Sequence, residues 1–185
     1  ANNDFTGTLA LTGGAVQVRD VNTVTLAGAT TSGPLSVTAA TGLTVTGAVN
    51  TGNTSDSTLS TTSGNLVLNA PVGNTTGTTT LNALGATSQI SQLNTGVVSA
   101  GALNVTTGGS FADLSFANNA VSKLGASDLG TTGNLFLLNT GPLTVTGTVK
   151  AANITLNTSG PLAINGALTA QAAASSLVQL TTTGA

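Results

Sequence analysis

The sequence predicts an all-β chain: a three-sided parallel β-solenoid with about 19 residues in each coil. Three observations carry that prediction. Residues 134–151 (NLFLLNTGPLTVTGTVKA) and 153–170 (NITLNTSGPLAINGALTA) match at a constant offset of 19, which sets Asn134 on Asn153, Leu135 on Ile154, Leu143 on Leu162 and Gly147 on Gly166. A local unit, Gly-x-aliphatic-x-aliphatic, recurs from Gly7, Gly14, Gly33, Gly64, Gly101, Gly133, Gly141 and Gly160. Alternation with period two over such short runs is the pattern of a half-buried strand, and no stretch sustains helical spacing.

The coil divides into three sides of about six residues. Leu135 and Leu137 belong to one side, Leu143 and Val145 to the second, and Val149 to the third. In LTVTG at 43–47, Leu43 and Val45 point inward while Thr44 and Thr46 point outward, because successive side chains alternate across a strand. Pro34, Pro142 and Pro161 each precede the first aliphatic of a unit, a strand-start position where no ladder donor is lost. Asn134 over Asn153 reads either as an amide ladder at a corner or as asparagine suiting a turn. Ala170–Ser176 is the least strand-like stretch, a short helical turn or a loop. Phe111, Phe116 and Phe136 are expected to thicken the core. At 19 residues per coil, the 185 residues give nine or ten coils and a rod about 45 Å long at the ~4.8 Å strand spacing.

A longer repeat encloses the shorter one. Residues 21–49 match 121–149 at an offset of 100, with LTVTG recurring at 143–147. From Gly64 onward the offset is 96, which sets Gly64 on Gly160, Leu66 on Leu162 and Val72 on Leu168. The first copy therefore holds four extra residues within NTGNTSDS. The organisation expected is one β-helix domain over 1–185, a tandem duplication of approximately 5–86 and 103–185, and a polar insertion at 50–57. That insertion (Asn50, Thr51, Gly52, Asn53, Thr54, Ser55, Asp56 and Ser57) is the candidate display loop.

Composition excludes more than it assigns. Charged residues make up 4% of the chain against a usual ~25%, and 39% are hydrophobic, so the chain lacks the high-charge, low-hydrophobicity signature of disorder. Histidine and cysteine are absent, which removes the commonest general base, the thiolate nucleophile and His- or Cys-built zinc sites. Arg19, Lys123 and Lys150 are too few to track a phosphate backbone, so no nucleic-acid partner is expected. No run of about 20 apolar residues exists, and the strands lack the length and aromatic girdles of a membrane barrel, so no membrane insertion is expected. The chain starts at Ala1 without a signal peptide, as in a mature product or an excised segment.

Chemistry-bearing constellations are equally sparse. Asp4, Asp20, Asp56, Asp113 and Asp128 include no pair 19 residues apart, so the clear repeat does not stack two carboxyls for glycosidic chemistry. Thr-x-Thr at 23–25, 44–46, 78–80 and 144–146 suggests the hydroxyl ladder of an ice-binding face, yet the ladder breaks one coil later, where Ala163 and Asn165 replace Thr144 and Thr146. No calcium nonapeptide, P-loop or dinucleotide fingerprint is present, and no cofactor, metal or enzymatic activity is expected.

GPLTVTGTV, AANITLNTSGPLAINGALTA and NAVSKLGASDLGTTGNLFLLNTGPLTV resemble the repeats of large exported bacterial β-helix proteins, above all the filamentous-haemagglutinin-like adhesins of two-partner secretion. The likeness covers most of the chain at the level of pattern, without the family's amino-terminal secretion domain. It implies a right-handed β-helix stalk, extracellular or on the surface of a Gram-negative cell, that contacts host or neighbouring-cell glycans or proteins. It supplies no catalytic residue. The expected function is thus a rigid structural or adhesive stalk. The alternatives are a filament or sheath subunit that stacks on itself end to end and, remotely, an ice-binding solenoid.

Overall fold

The computed structural model describes residues 3–172 and 175–183. Every named element is a strand: β1 (Thr8–Gly13), β2 (Val16–Asp20), β3 (Thr23–Thr31), β4 (Leu35–Ala39), β5 (Gly42–Val45), β6 (Val49–Thr51), β7 (Ser57–Thr61), β8 (Leu66–Leu68), β9 (Val72–Ala83), β10 (Ile90–Gln92), β11 (Val98–Thr107), β12 (Ala112–Val121), β13 (Lys123–Leu124), β14 (Ser127–Asp128), β15 (Asn134–Asn139), β16 (Leu143–Val145), β17 (Val149–Ala151), β18 (Asn153–Thr158), β19 (Leu162–Ile164), β20 (Leu168–Ala170) and β21 (Leu177–Thr182). All pair in parallel with neighbouring coils, the end strands β1, β19, β20 and β21 on one side only, forming a β-solenoid of about eight turns. At ~4.8 Å per turn the stack is about 38 Å high.

The coil varies in length along the chain, and the last one is long, with Asn153 on Leu177 at a step of 24. Val16 lies on Leu35 and Leu135 on Ile154, both steps of 19. Between these regions Leu35 lies on Ser57, a step of 22, and Leu66 on Ile90, a step of 24. The expected nine or ten coils therefore become about eight. The missing turn has gone into longer corners, such as Leu84–Gln89, which interrupt no ladder because they lie outside it.

The inward rows follow the alternation read from the sequence. Leu43, Val45, Leu66, Leu68, Leu135, Leu137, Ile154 and Leu156 are all buried in one continuous apolar core. Pro34, Pro71 and Pro161 donate nothing to the ladder, but their carbonyls accept the N–H groups of Val16, Val49 and Leu143. Corners are closed by buried hydroxyls: Thr31, Thr61 and Thr107 donate through Oγ1 to the carbonyls of Gly33, Gly64 and Ser110. The Asn ladder forms, with Asn153 Nδ2 donating to Asn134 Oδ1 at 2.7 Å and Asn153 Oδ1 accepting the Leu177 N–H. Ala173 and Ala174, within the stretch read as a helical turn or loop, lie outside the described residues; Gln171–Ala172 and Ser175–Ser176 are loop.

The three columns of strands do not run straight. In the upper half one column is long (β2, β4, β7, residues 79–83 and 103–107), and two are short (β5, β8, β10 beside β6, 72–74 and 98–100). Below residue 110 the roles exchange. The long column divides, with Leu103 on Leu124 and Thr106 on Asp128. The two short columns fuse: β15 lies straight beneath both Ala112–Leu114 and Asn119, and residues 115–118 bulge outward. One inserted residue between 124 and 128 starts a corner on one side, while loss of the bulge erases a corner on the other.

Candidate functional site

The insertion expected at 50–57 is mostly a corner and partly ladder. Asn50 and Thr51 end β6, and Ser57 opens β7 with its side chain 1% exposed. The projecting turn is Gly52, Asn53, Thr54, Ser55 and Asp56, between a short column and the long one. Thr54 takes φ +68°, a left-handed conformation that a β-branched residue rarely adopts. One side chain from the next coil pins this turn. Asn74 donates through Nδ2 to the Gly52 and Ser55 carbonyls and to Thr51 Oγ1, and its Oδ1 accepts the N–H groups of Thr76 and Gly77. Thr76 Oγ1 accepts the Thr54 N–H, and Asp56 Oδ1 accepts the Thr78 N–H. The loop is thus a fixed projection.

The acids are dispersed and individually occupied. Asp20, buried at the first corner, accepts the N–H groups of Phe5 and Asn22. Asp4 accepts from Asn22 Nδ2, Asp113 from the Ser115 N–H and hydroxyl, and Asp128 from the Gly130 N–H. Asp128 also lies 4.0 Å from Lys150 Nζ on the next coil. Among the described residues no three His, Cys, Asp or Glu side chains converge. The register stacks Thr8, Thr25 and Thr44 in one row that ends on Val67, while Thr144 lies between Lys123 and Ala163.

The phenylalanines overturn one expectation. Phe111, Phe116 and Phe136 do not thicken the core: Phe116 is 63% exposed, and Phe111 and Phe136 are only partly covered. Phe136 occupies an outward position between inward Leu135 and Leu137, as strand alternation requires. Phe116 rides the bulge at 115–118. What does fill that junction is a buried amide cluster. Asn119 donates through Nδ2 to the Leu114 and Leu138 carbonyls, while its Oδ1 accepts from Gln92 Nε2 and the Val98 N–H. Gln92 also donates to the Gly96 carbonyl, and Asn139 Oδ1 accepts the Val121 N–H. Sequence reading missed these amides because Gln92 and Asn119 lie in irregular coils that the repeat does not align.

The outward Phe136 ring lines a shallow cleft of about 550 Å³ together with Asn134, Asn153, Thr155, Ser175, Ser176, Leu177 and Gln179. These side chains belong to three successive coils in one column. No charged side chain lines it. No protein-family model, curated protein or solved structure matches the chain.

Proposed function

We propose that this chain is a rigid stalk segment of a secreted or surface-displayed bacterial β-helix protein, similar in role to the filamentous-haemagglutinin-like adhesins, and that it acts by presenting surface features without catalysing a reaction. The observation that carries this reading is the division of labour between interior and exterior. One unbroken parallel ladder with an aliphatic core holds every coil, while the irregular chemistry, including Gly52–Asp56 and the outward phenylalanines, projects from it. The carboxylates that accept backbone N–H groups serve corners, which supports a structural role for them.

Attachment of cells to beads coated with the chain tests the reading. Coated beads are expected to bind epithelial or neighbouring bacterial cells, and a chain with Gly52–Asp56 replaced by a single alanine is expected to bind less while keeping its β-sheet circular dichroism. Equal attachment of coated and bare beads would overturn the adhesive role.

End-to-end stacking is a second reading, favoured by one observation. The inward row of the last coil is open, with Val178 and Leu180 38% and 44% exposed. A further coil from the same chain or from a second copy would cover it. Light scattering that rises with concentration would support the second copy.

A further inference from the structure

The sequence argues against a carbohydrate platform, because tyrosine and tryptophan are absent and the phenylalanines read as core. The structure reverses the second premise. Phe136 lies on the outer face of β15 and lines the cleft from the first of its three strands. The amides and hydroxyls of Asn134, Asn153, Thr155 and Gln179 share the lining with the ring and with the exposed Leu177 side chain. Asn153 and Asn134 are already linked, which fixes their orientation, yet Asn134 Nδ2 and the Gln179 amide have no hydrogen-bond partner among the described residues. A partly exposed aromatic ring beside a row of neutral donors and acceptors matches a sugar, whose C–H face is apolar and whose rim is hydroxyl. We propose that this cleft binds a neutral oligosaccharide, a proposal that rests on the surface-display reading and names its ligand class.

Three further observations narrow the ligand. The cleft volume falls within the ~300–1,000 Å³ of small-molecule sites. An extended peptide finds no free strand edge beside Phe136, since β15 and β18 are paired on both sides and the one open edge at the cleft is that of β21. An anionic glycan would meet no cation: Lys123 and Lys150 lie in the short columns and Arg19 near the opposite end, whereas Asp113 sits in register beside Phe136.

The chain is well suited to a direct test. It has no His, Tyr or Trp, so its aromatic proton spectrum contains only four phenylalanine rings, and sugars add nothing there. Titration with lactose, maltohexaose, cellohexaose and chitotetraose is expected to shift one ring for at least one probe. Phe136→Ala and Phe136→Leu should abolish that shift and weaken affinity about tenfold, while Phe5→Ala changes neither. 3′-Sialyllactose should bind more weakly than lactose. A folded chain that gives no ring shift with any neutral probe, tighter binding of the sialylated probe, or binding unaffected by both Phe136 variants would each overturn the proposal. The stalk reading would survive these results, because it is tested by attachment of cells through the loop.

Discussion

Leu35–Ala39 and Leu135–Asn139 match at the 100-residue offset of the sequence, one in each of the two expected copies, alike inside and different outside. Leu35 and Val37 face the core in one, Leu135 and Leu137 in the other, and all four are essentially buried. Their outward neighbours are Ser36 and Thr38 in the first copy but Phe136 and Leu138 in the second. The turn after the third strand differs in the reverse sense. Gly52–Asp56 projects in the first copy, where the second has only Ala152 between β17 and β18. Its clamp differs with it: Asn74 in the first copy corresponds to Ala170 in the second. The interior is constrained by stacking, since each inward side chain touches its equivalents above and below. The exterior is free to diverge, and divergence there is where binding would arise. The column exchange adds to the difference, since it carries β15 away from the column of β4 and onto that of β5 and β8.

The largest expected effect breaks the joint between the halves. Asn119→Ala would leave Val98 N–H, Gln92 Nε2 and the Leu114 and Leu138 carbonyls short of a partner in a buried site. A loss of about 3–5 kcal/mol in urea unfolding is expected, against about 1 kcal/mol for Thr61→Ala at a regular corner. Equal losses would mean that the junction is not a special structure.

Core truncation should reveal how alike the interiors are. Leu35→Ala and Leu135→Ala should each cost about 2–5 kcal/mol and differ from one another by less than about 1 kcal/mol, as measured by equilibrium unfolding. A much larger gap would show that the copies do not share one packing scheme.

The loop and its clamp form a coupled pair. Replacing Gly52–Asp56 with one alanine should cost about 2 kcal/mol, because Asn74 is left in a partly buried corner without the carbonyls it binds. Adding Asn74→Ala to that variant should return part of the loss, as the second copy implies with Ala170. A double-mutant cycle measures this coupling, and additive losses would sever the link between loop and clamp. The smallest effect is a gain: Thr54→Asn should stabilise by roughly 0.5–1 kcal/mol, since asparagine tolerates the left-handed conformation that threonine resists.

How much of this was legible in the sequence depended on repetition. The 19-residue match placed Leu135 on Ile154, Leu143 on Leu162 and Asn134 on Asn153, all of which are observed pairs. Alternation also identified Leu43 and Val45 as inward. The same alternation applied to Phe136, between two inward leucines, gives an outward ring; the expectation of a thickened core followed residue type instead. The coil length was legible only where the copies are clean. Between residues 57 and 121 the corners vary, so neither the 22- to 26-residue coils nor the exchange of columns leaves a constant offset to find. The loop was located by a break between two offsets, but its clamp lies in the following coil, beyond reach of a linear reading.

The account turns on one solenoid whose columns exchange between residues 103 and 128, since that exchange decides which face carries Phe136. The chain has no cysteine, so an introduced pair reports its own pairing alone. Neighbouring strands hold paired Cα atoms about 4.8 Å apart, within the ~4.4–6.8 Å that a disulfide spans. Under mild oxidation Thr106→Cys with Asp128→Cys should form an intramolecular disulfide in high yield, and Thr106→Cys with Leu138→Cys should not. The reverse result would place the long strands in a single straight column and contradict the account.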